Sequence, residues 1–399
     1  MEVFVHKHVI SLTFASLAFF ADSNAQVVMD KAPEIDLAGI QGSIPSFERA
    51  LPELTSAFVS ARPNDRADGL EVGELSDSAR IIELAKEIEQ GKHDPYDSLL
   101  IAHNGALVFE SYYSRGRVNL PHYQASATKA YTSLAVGRAI QLGYLSLQDL
   151  HEPVLDFLTE VDQEGLTTGL EKITLHKTLS MRSGLRVSID KQRDLLSEPE
   201  RLKGQKLAQA YFAHSEPVTE SSQTYHYQSI DPRITMLVLD AVLPGAVKDF
   251  IRSELLDKLE IAHYFWRDNV SGVPESAHST SMTSRDMIKW GLLLKQDGKW
   301  QGEQLISSAF LTQATGSVAQ PHDEDYDFSQ FRYGYYFWGT GLTVGEKEYD
   351  AKLAWGGGGQ YVIVLDELDL IIAITAHARG VEDKTLELVE KRILPTFAN

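Results

Sequence analysis

The sequence predicts an α+β protein. β-rich segments gather at the two ends of the chain, helical periodicity fills the middle, and no strand–helix–strand alternation of the kind that builds a parallel sheet appears. The first clear element follows Ser76-Asp77-Ser78, a capping sequence. Ile81, Leu84, Ala85 and Ile88 then recur at helical spacing, and Gly91 stops the run. Residues 98–103 and 106–113 are β-rich and flank Asn104-Gly105, a pair suited to a turn that needs positive φ, so a β-hairpin is expected. A helix is expected over about 126–141, ending at Gly143, then a helical stretch with Pro153 near its start. A short helix over 173–181 is closed by Ser183-Gly184, and two more cover 230–242 and 247–259 with Pro244 between them. Thr283, followed three residues later by Asp286, caps a helix reaching Gln296. Strands are expected over 333–338, 361–365 and 370–376, with a turn at 366–369, and a final helix over about 383–393.

The chain has 399 residues, room for two or three domains or one large composite one. Its formal charge is −19, a balance that repels phosphate backbones, so no nucleic-acid partner is expected. There is no cysteine, which excludes disulfides, thiolate metal sites and cysteine catalysis. Residues 1–25 read as a secretory signal: Lys7, an apolar run over 9–21 too short to span a bilayer, and small residues around Ala25. A periplasmic or secreted protein with no membrane span in its mature chain is therefore expected. Residues 26–75 hold Pro33, Pro45, Pro52 and Pro63 without long periodicity. They are expected to form an N-terminal extension, lying over the rest or partly disordered, before a single domain over 76–399.

Nothing in the sequence asks for a cofactor or a metal. There is no phosphate loop and no G-x-S-x-G elbow, and His151-Glu152 lacks the second histidine of a zinc-protease helix. The run His322-Asp323-Glu324-Asp325 reads as a solvated acidic loop before it reads as a cation site. What stands out is Ser126-Ala127-Thr128-Lys129 at the start of a predicted helix. Residues three apart share a helical face, so Lys129 can reach the Ser126 hydroxyl. Serine is a weak nucleophile until a base takes its proton, and a lysine can be that base only when neutral. Alone, this four-residue pattern is also what a surface helix start looks like. Tyr225 and Tyr227, just before a helix, offer a phenol for proton transfer or an aromatic for the core. Trp355-Gly356-Gly357-Gly358-Gly359 offers backbone N–H groups to a ligand, or is simply a flexible loop.

Taken in order, these segments resemble the serine β-lactamase and penicillin-binding-protein-like hydrolases, including the class C β-lactamase-related esterases and amidases. The likeness runs from about Ser78 to the C-terminus. Beyond S-x-x-K it includes the opening hairpin, the segment 173–185 ending Met181-Arg182-Ser183-Gly184-Leu185, the late helix 282–291 and Gly359-Gln360-Tyr361 entering a strand. The resemblance implies a β-lactamase/transpeptidase-like fold, an antiparallel sheet flanked by helices with an inserted helical part over about 126–270. It implies Ser126 as nucleophile, Lys129 as base and Tyr227 as a second proton carrier. It also implies an oxyanion hole from the backbone N–H of Ser126 and one on the glycine strand, most simply Gly358, with Trp355, Gly356 and Gly357 in place of the lactamase K-T-G. Two positions depart from the pattern: Ser229 replaces the asparagine of Y-x-N, and Trp355 replaces a lysine that pairs with a substrate carboxylate. Lys352 is no substitute, since strand residues three apart face opposite sides. An uncharged small-molecule ester or amide with an apolar acyl group is thus favoured over anionic β-lactams and peptide C-termini. The alternatives are β-lactamase or D-amino-acid peptidase/amidase activity, or a non-catalytic protein that binds cell-wall peptide or a partner.

Overall fold

The computed structural model describes residues 31–40, 43–322, 330–378 and 384–398. The expected secretory signal and residues 323–325 of the acidic run lie outside them. The main sheet has eight strands, in the spatial order Phe58–Ser60, Ala106–Tyr112, Tyr96–His103, Leu370–Ala376, Gln360–Leu365, Lys347–Gly356, Trp338–Val344 and Arg332–Tyr333. Every neighbouring pair is antiparallel. Its centre joins the first expected hairpin to the last expected strand, with Leu370 opposite His103 and Ile374 opposite Leu99. Gln360–Leu365 and Leu370–Ala376 are buried at every position, as their unbroken apolar runs require of strands covered on both faces. The hairpin turn is as expected: Asn104 and Gly105 have φ of 52° and 83°.

The Ser284–Lys295 helix lies across the centre of the sheet. It starts where the sequence says, with Thr283 Oγ1 accepting from Asp286 N at 3.1 Å. Gly291 is the point of closest approach, because a Cβ there would come within 2.3 Å of Ile371 Cγ2. The long middle of the chain is helical. Its Thr128–Gln141 and Ile230–Val242 helices pack on each other and are buried almost all round. A small second sheet, with Thr280–Met282 between His122–Tyr123 and Tyr264–Trp266, leads the chain into the first of these helices. Phe58–Ser60 supplies an edge strand of the main sheet, and the Ile44–Ala50 helix packs on His122–Tyr123. Among the described residues no helix is long and apolar enough to cross a membrane.

The structure corrects the expected strand over 333–338. Tyr333 and Trp338 are instead cross-strand partners on either side of a tight turn, in which Tyr336 has φ of 64° and Gly334 N bonds Phe337 O at 2.9 Å. The aromatic run had a different cause. Tyr335 reaches His176 at 2.7 Å and Tyr336 reaches Thr235 at 2.8 Å, so this turn is buried among the helices. The expected helices over 247–259 and 383–393 are split. Each begins as a short α-helix, Val247–Ile251 and Thr385–Leu388, and widens to a π-helix over Arg252–Leu256 and Val389–Ile393.

Gly291→Ala is expected to destabilise the protein by about 1–3 kcal/mol in urea unfolding, the usual cost of overpacking. Gly245→Ala, which meets nothing within 4 Å, should stay within about 0.5 kcal/mol. Glu87 ties the Ala79–Glu89 helix to the C-terminal segment through Arg392 and also bonds the nearby His93, and hydrogen bonds to Arg392 and then His93 hold its carboxyl down at about 2. Its contribution is full above the ordinary glutamate range and is lost as pH falls from there towards 2. Glu87→Gln should therefore lower the unfolding midpoint at pH 7 and narrow its gap to the parent as pH drops below about 4.

Candidate active site

The chain reaches Ser126 from the small sheet, where Gln124 N bonds Thr280 O at 2.9 Å. Ala125 then takes φ of 45°, a left-handed conformation a non-glycine residue rarely holds. This abrupt turn opens a short 3₁₀ segment, Ala125–Ala127, and the Thr128–Gln141 helix follows directly. Ser126 is left half-buried at the helix entrance, and Lys129 lies one turn further in, 2% exposed. Lys129 Nζ donates to Ser126 Oγ at 3.0 Å and to the Ala277 carbonyl at 2.7 Å, and it lies 4.7 Å from the centre of the Tyr227 ring. All three partners are uncharged.

The Ala277 carbonyl is itself held in place. Ala277 N bonds Glu275 Oε1 at 3.2 Å, Glu275 is paired with Arg233 at 3.0 Å, and Thr132 Oγ1 donates to the Ser276 carbonyl at 3.1 Å. Burial alone would raise the Glu275 carboxyl, but the Arg233 guanidinium beside it holds it below its ordinary range. A buried ion pair on the Ile230–Val242 helix thereby fixes the backbone oxygen that orients Lys129.

The same helix sets Tyr227. Its first turn carries buried Asp231, which accepts from Ser183 Oγ at 2.5 Å and from Gln228 Nε2 at 2.9 Å. Burial pushes the Asp231 carboxyl up to about 7 against the pull of those donors. The Ser183-Gly184 pair is thus a docking point for the loop 225–228. Met181 and Gly184, with φ of 58° and 83°, turn the chain there, and the Met181 carbonyl accepts from His226 N at 2.8 Å. Lys129 meets the face of the Tyr227 ring.

Tyr227 also belongs to an aromatic wall. Its ring stands 5.7 Å from Trp338 and 6.3 Å from Tyr333, and Trp338 in turn lies 5.4 Å from Trp355. Trp355 stacks on Tyr361 at 5.6 Å and leans on Phe331 at 5.6 Å. The next residue, Gly356, faces the other way, as alternation along a strand demands. A Cβ at Gly356 would sit 2.1 Å from the Gln124 carbonyl, so only glycine lets this strand close on the Ser126 turn. Gly357 has open space beside it, and Gly358 and Gly359, with φ of 92° and 91°, complete the turn into Gln360–Leu365.

The structure therefore brings Ser126, Lys129 and Tyr227 together, joins Trp355 to Tyr227 through Trp338, and sets Gly356 against the Ser126 turn. Ser229 stands two residues beyond Tyr227 as the N-cap residue of the Ile230–Val242 helix, and among the described residues it makes no hydrogen bond to Ser126 or Lys129. Lys352 is engaged elsewhere, 2.5 Å from Asp366. Sequence reasoning missed Ala277, Glu275 and Arg233. A backbone carbonyl has no residue-type signature, and the ion pair spans 42 residues.

With this geometry in place, the comparisons are consistent. The family profile described as Beta-lactamase matches residues 83–392, so the chain belongs to the β-lactamase family, a family of hydrolases. A class C β-lactamase aligns at 15% identity over 81% of this chain and 96% of its own, with a TM-score of 0.60. A penicillin-binding protein homologue from Caulobacter crescentus aligns at 15% identity over 81% and 99%, also at 0.60. A D-stereospecific amidohydrolase from Streptomyces sp. aligns at 16% identity over 77% and 97%, at 0.57. A search of curated proteins finds no match. At these identities the solved structures show a shared fold.

The Gly356 contact makes a sharp comparison possible. Gly356→Ala should displace the strand from the Ser126 turn and slow reaction of Ser126 with a serine-directed fluorophosphonate by about 100-fold, the scale of an ångström-sized misplacement. Gly357→Ala, in open space, should change that rate by no more than about threefold.

Proposed function

We propose that this protein is an exported serine hydrolase that works through an acyl-enzyme on uncharged esters or amides, with carboxylesterase activity first. The observation that carries the reading is the 3.0 Å contact from buried Lys129 Nζ to the hydroxyl of half-buried Ser126. Ser126 Oγ attacks the substrate carbonyl as its proton passes to Lys129. The oxyanion is held by the N–H of Ser126 and one on the glycine turn, Gly358, where each donor contributes on the order of 3 kcal/mol. Collapse of the tetrahedral species breaks the bond to the leaving group, which receives a proton by way of Tyr227. Water then attacks the acyl-enzyme along the reverse proton path and frees Ser126.

The substrate preference follows from position 355. The Trp355, Trp338, Tyr227 and Phe331 rings form an apolar, polarisable surface beside the nucleophile, suited to an acyl chain. A substrate carboxylate would find an indole where a lysine stands in the lactamase pattern. Residues 1–25 would direct export and be removed before Gln26.

Intact-mass measurement after fluorophosphonate treatment tests the nucleophile: one adduct is expected on the parent and none on Ser126→Ala. Turnover of p-nitrophenyl esters should fall at least ~10³-fold in Ser126→Ala and in Lys129→Ala. Lys129→Arg should not restore it, because a guanidinium does not give up its proton. Short-chain esters should outpace nitrocefin and D-Ala-D-Ala peptides. Retained activity in Ser126→Ala would falsify the assignment, and faster turnover of nitrocefin would replace the esterase reading with a lactamase one.

A further inference from the structure

Behind the glycine turn lies a second cluster that the hydrolase chemistry does not use. Glu48, on the Ile44–Ala50 helix of the N-terminal segment, is 1% exposed. Its Oε1 accepts from Tyr123 N at 2.9 Å and lies 3.2 Å from His122 Nδ1. Its other oxygen faces His377 Nε2 at 4.0 Å, beyond hydrogen-bond reach. The two imidazole rings cross at 76° with centres 4.9 Å apart. One donor atom from each of the three residues lies within 4.8 Å of the others.

We propose that Glu48, His122 and His377 bind a divalent transition-metal ion, zinc in preference to the others. Two imidazoles and one carboxylate are a recurring zinc donor set that leaves a fourth position open. Tetrahedral zinc with ligands at ~2.0–2.1 Å sets neighbouring donors about 3.3 Å apart; Glu48 Oε1 and His122 Nδ1, 3.2 Å apart, already fit, while His377, whose Nε2 is 4.0 Å from the other Glu48 oxygen, has to move in.

The outer partners match as well. Metal-bound histidines bond through their other nitrogen to a carboxylate or a backbone carbonyl, which fixes ring orientation. His377 Nδ1 bonds the buried Asp97 carboxylate. The fourth position opens on a cavity of about 140 Å³ that is lined also by Arg115, Gly357 and Gly358, room for water or a small anionic ligand.

Such an ion would clamp three distant parts of the chain. It would fasten the Ile44–Ala50 helix to the strand that delivers Ser126 and to the residue following Leu370–Ala376, directly behind the glycine turn.

The purified full chain, stripped with a chelator and passed through gel filtration, is titrated with zinc and separately with cobalt(II). The expected result is one zinc per chain, a cobalt(II) absorption of the tetrahedral type, and a rise in unfolding midpoint on zinc addition. His377→Ala and Glu48→Gln should each weaken zinc binding at least tenfold, and Asp97→Asn by about tenfold or more. Ser126→Ala should bind zinc like the parent, so loss of the hydrolase reading would leave this one standing. The stoichiometry and spectrum of the parent do not depend on any variant folding. Less than a tenth of an equivalent of zinc retained by the parent, or equal retention by soluble His377→Ala and Glu48→Gln, overturns the proposal and leaves a hydrogen-bonded Glu–His network.

Discussion

The candidate site of this molecule is arranged around one amine kept out of water. Lys129 has a hydroxyl, a carbonyl and a ring face as its surroundings, and each is supplied by a different part of the chain. The hydroxyl comes from the short 3₁₀ turn that leads into the helix carrying the lysine. The carbonyl is held by an ion pair rooted on a second helix, and the ring comes from the loop that enters that helix. The Arg233–Glu275 pair shows how a buried ionic group can be kept for geometry. Its attraction has to offset the cost of dehydrating two charges, so its net contribution to stability is small, yet it leaves the Ala277 oxygen in one place.

Two pieces of backbone complete the arrangement from the other side. Ala125 accepts a left-handed conformation so that Ser126 can stand at the helix entrance, and Gly356 gives up a side chain so that a strand can approach the same turn. Conformational strain at one and conformational freedom at the other serve the same end: backbone N–H groups and the Ser126 hydroxyl in close quarters. An aromatic wall runs from Tyr227 through Trp338 to Trp355.

Much of this was legible in the residues, for identifiable reasons. Local signals translate directly: Asn104-Gly105 made its turn, Thr283 capped its helix, and Ser126 and Lys129 met because one helical turn separates them. Ser183-Gly184 was readable as a helix stop but not as the seat of Asp231, because a hydrogen bond between residues 48 apart has no local signature. The run from Tyr333 to Trp338 misled because aromatic content reports burial, and here burial was against helices. Glu48, His122 and His377 were invisible for a related reason. Each is an ordinary residue in an ordinary context until the fold stacks the two sheets' ends and the N-terminal helix together.

The pairing at the centre of the sheet governs how this chain is made. Asp97 and His377, 280 residues apart, are neighbours, and Tyr96 bonds Thr385 across 289. The core pair of strands cannot form until the long segment between them has left the ribosome. With so large a contact separation, loop-closure entropy must be met before the central strands gain anything from pairing, so folding is slow and post-synthetic. In the interval the apolar Tyr96–His103 strand lacks its partner on one side and is open to self-association, the kind of intermediate that chaperones hold.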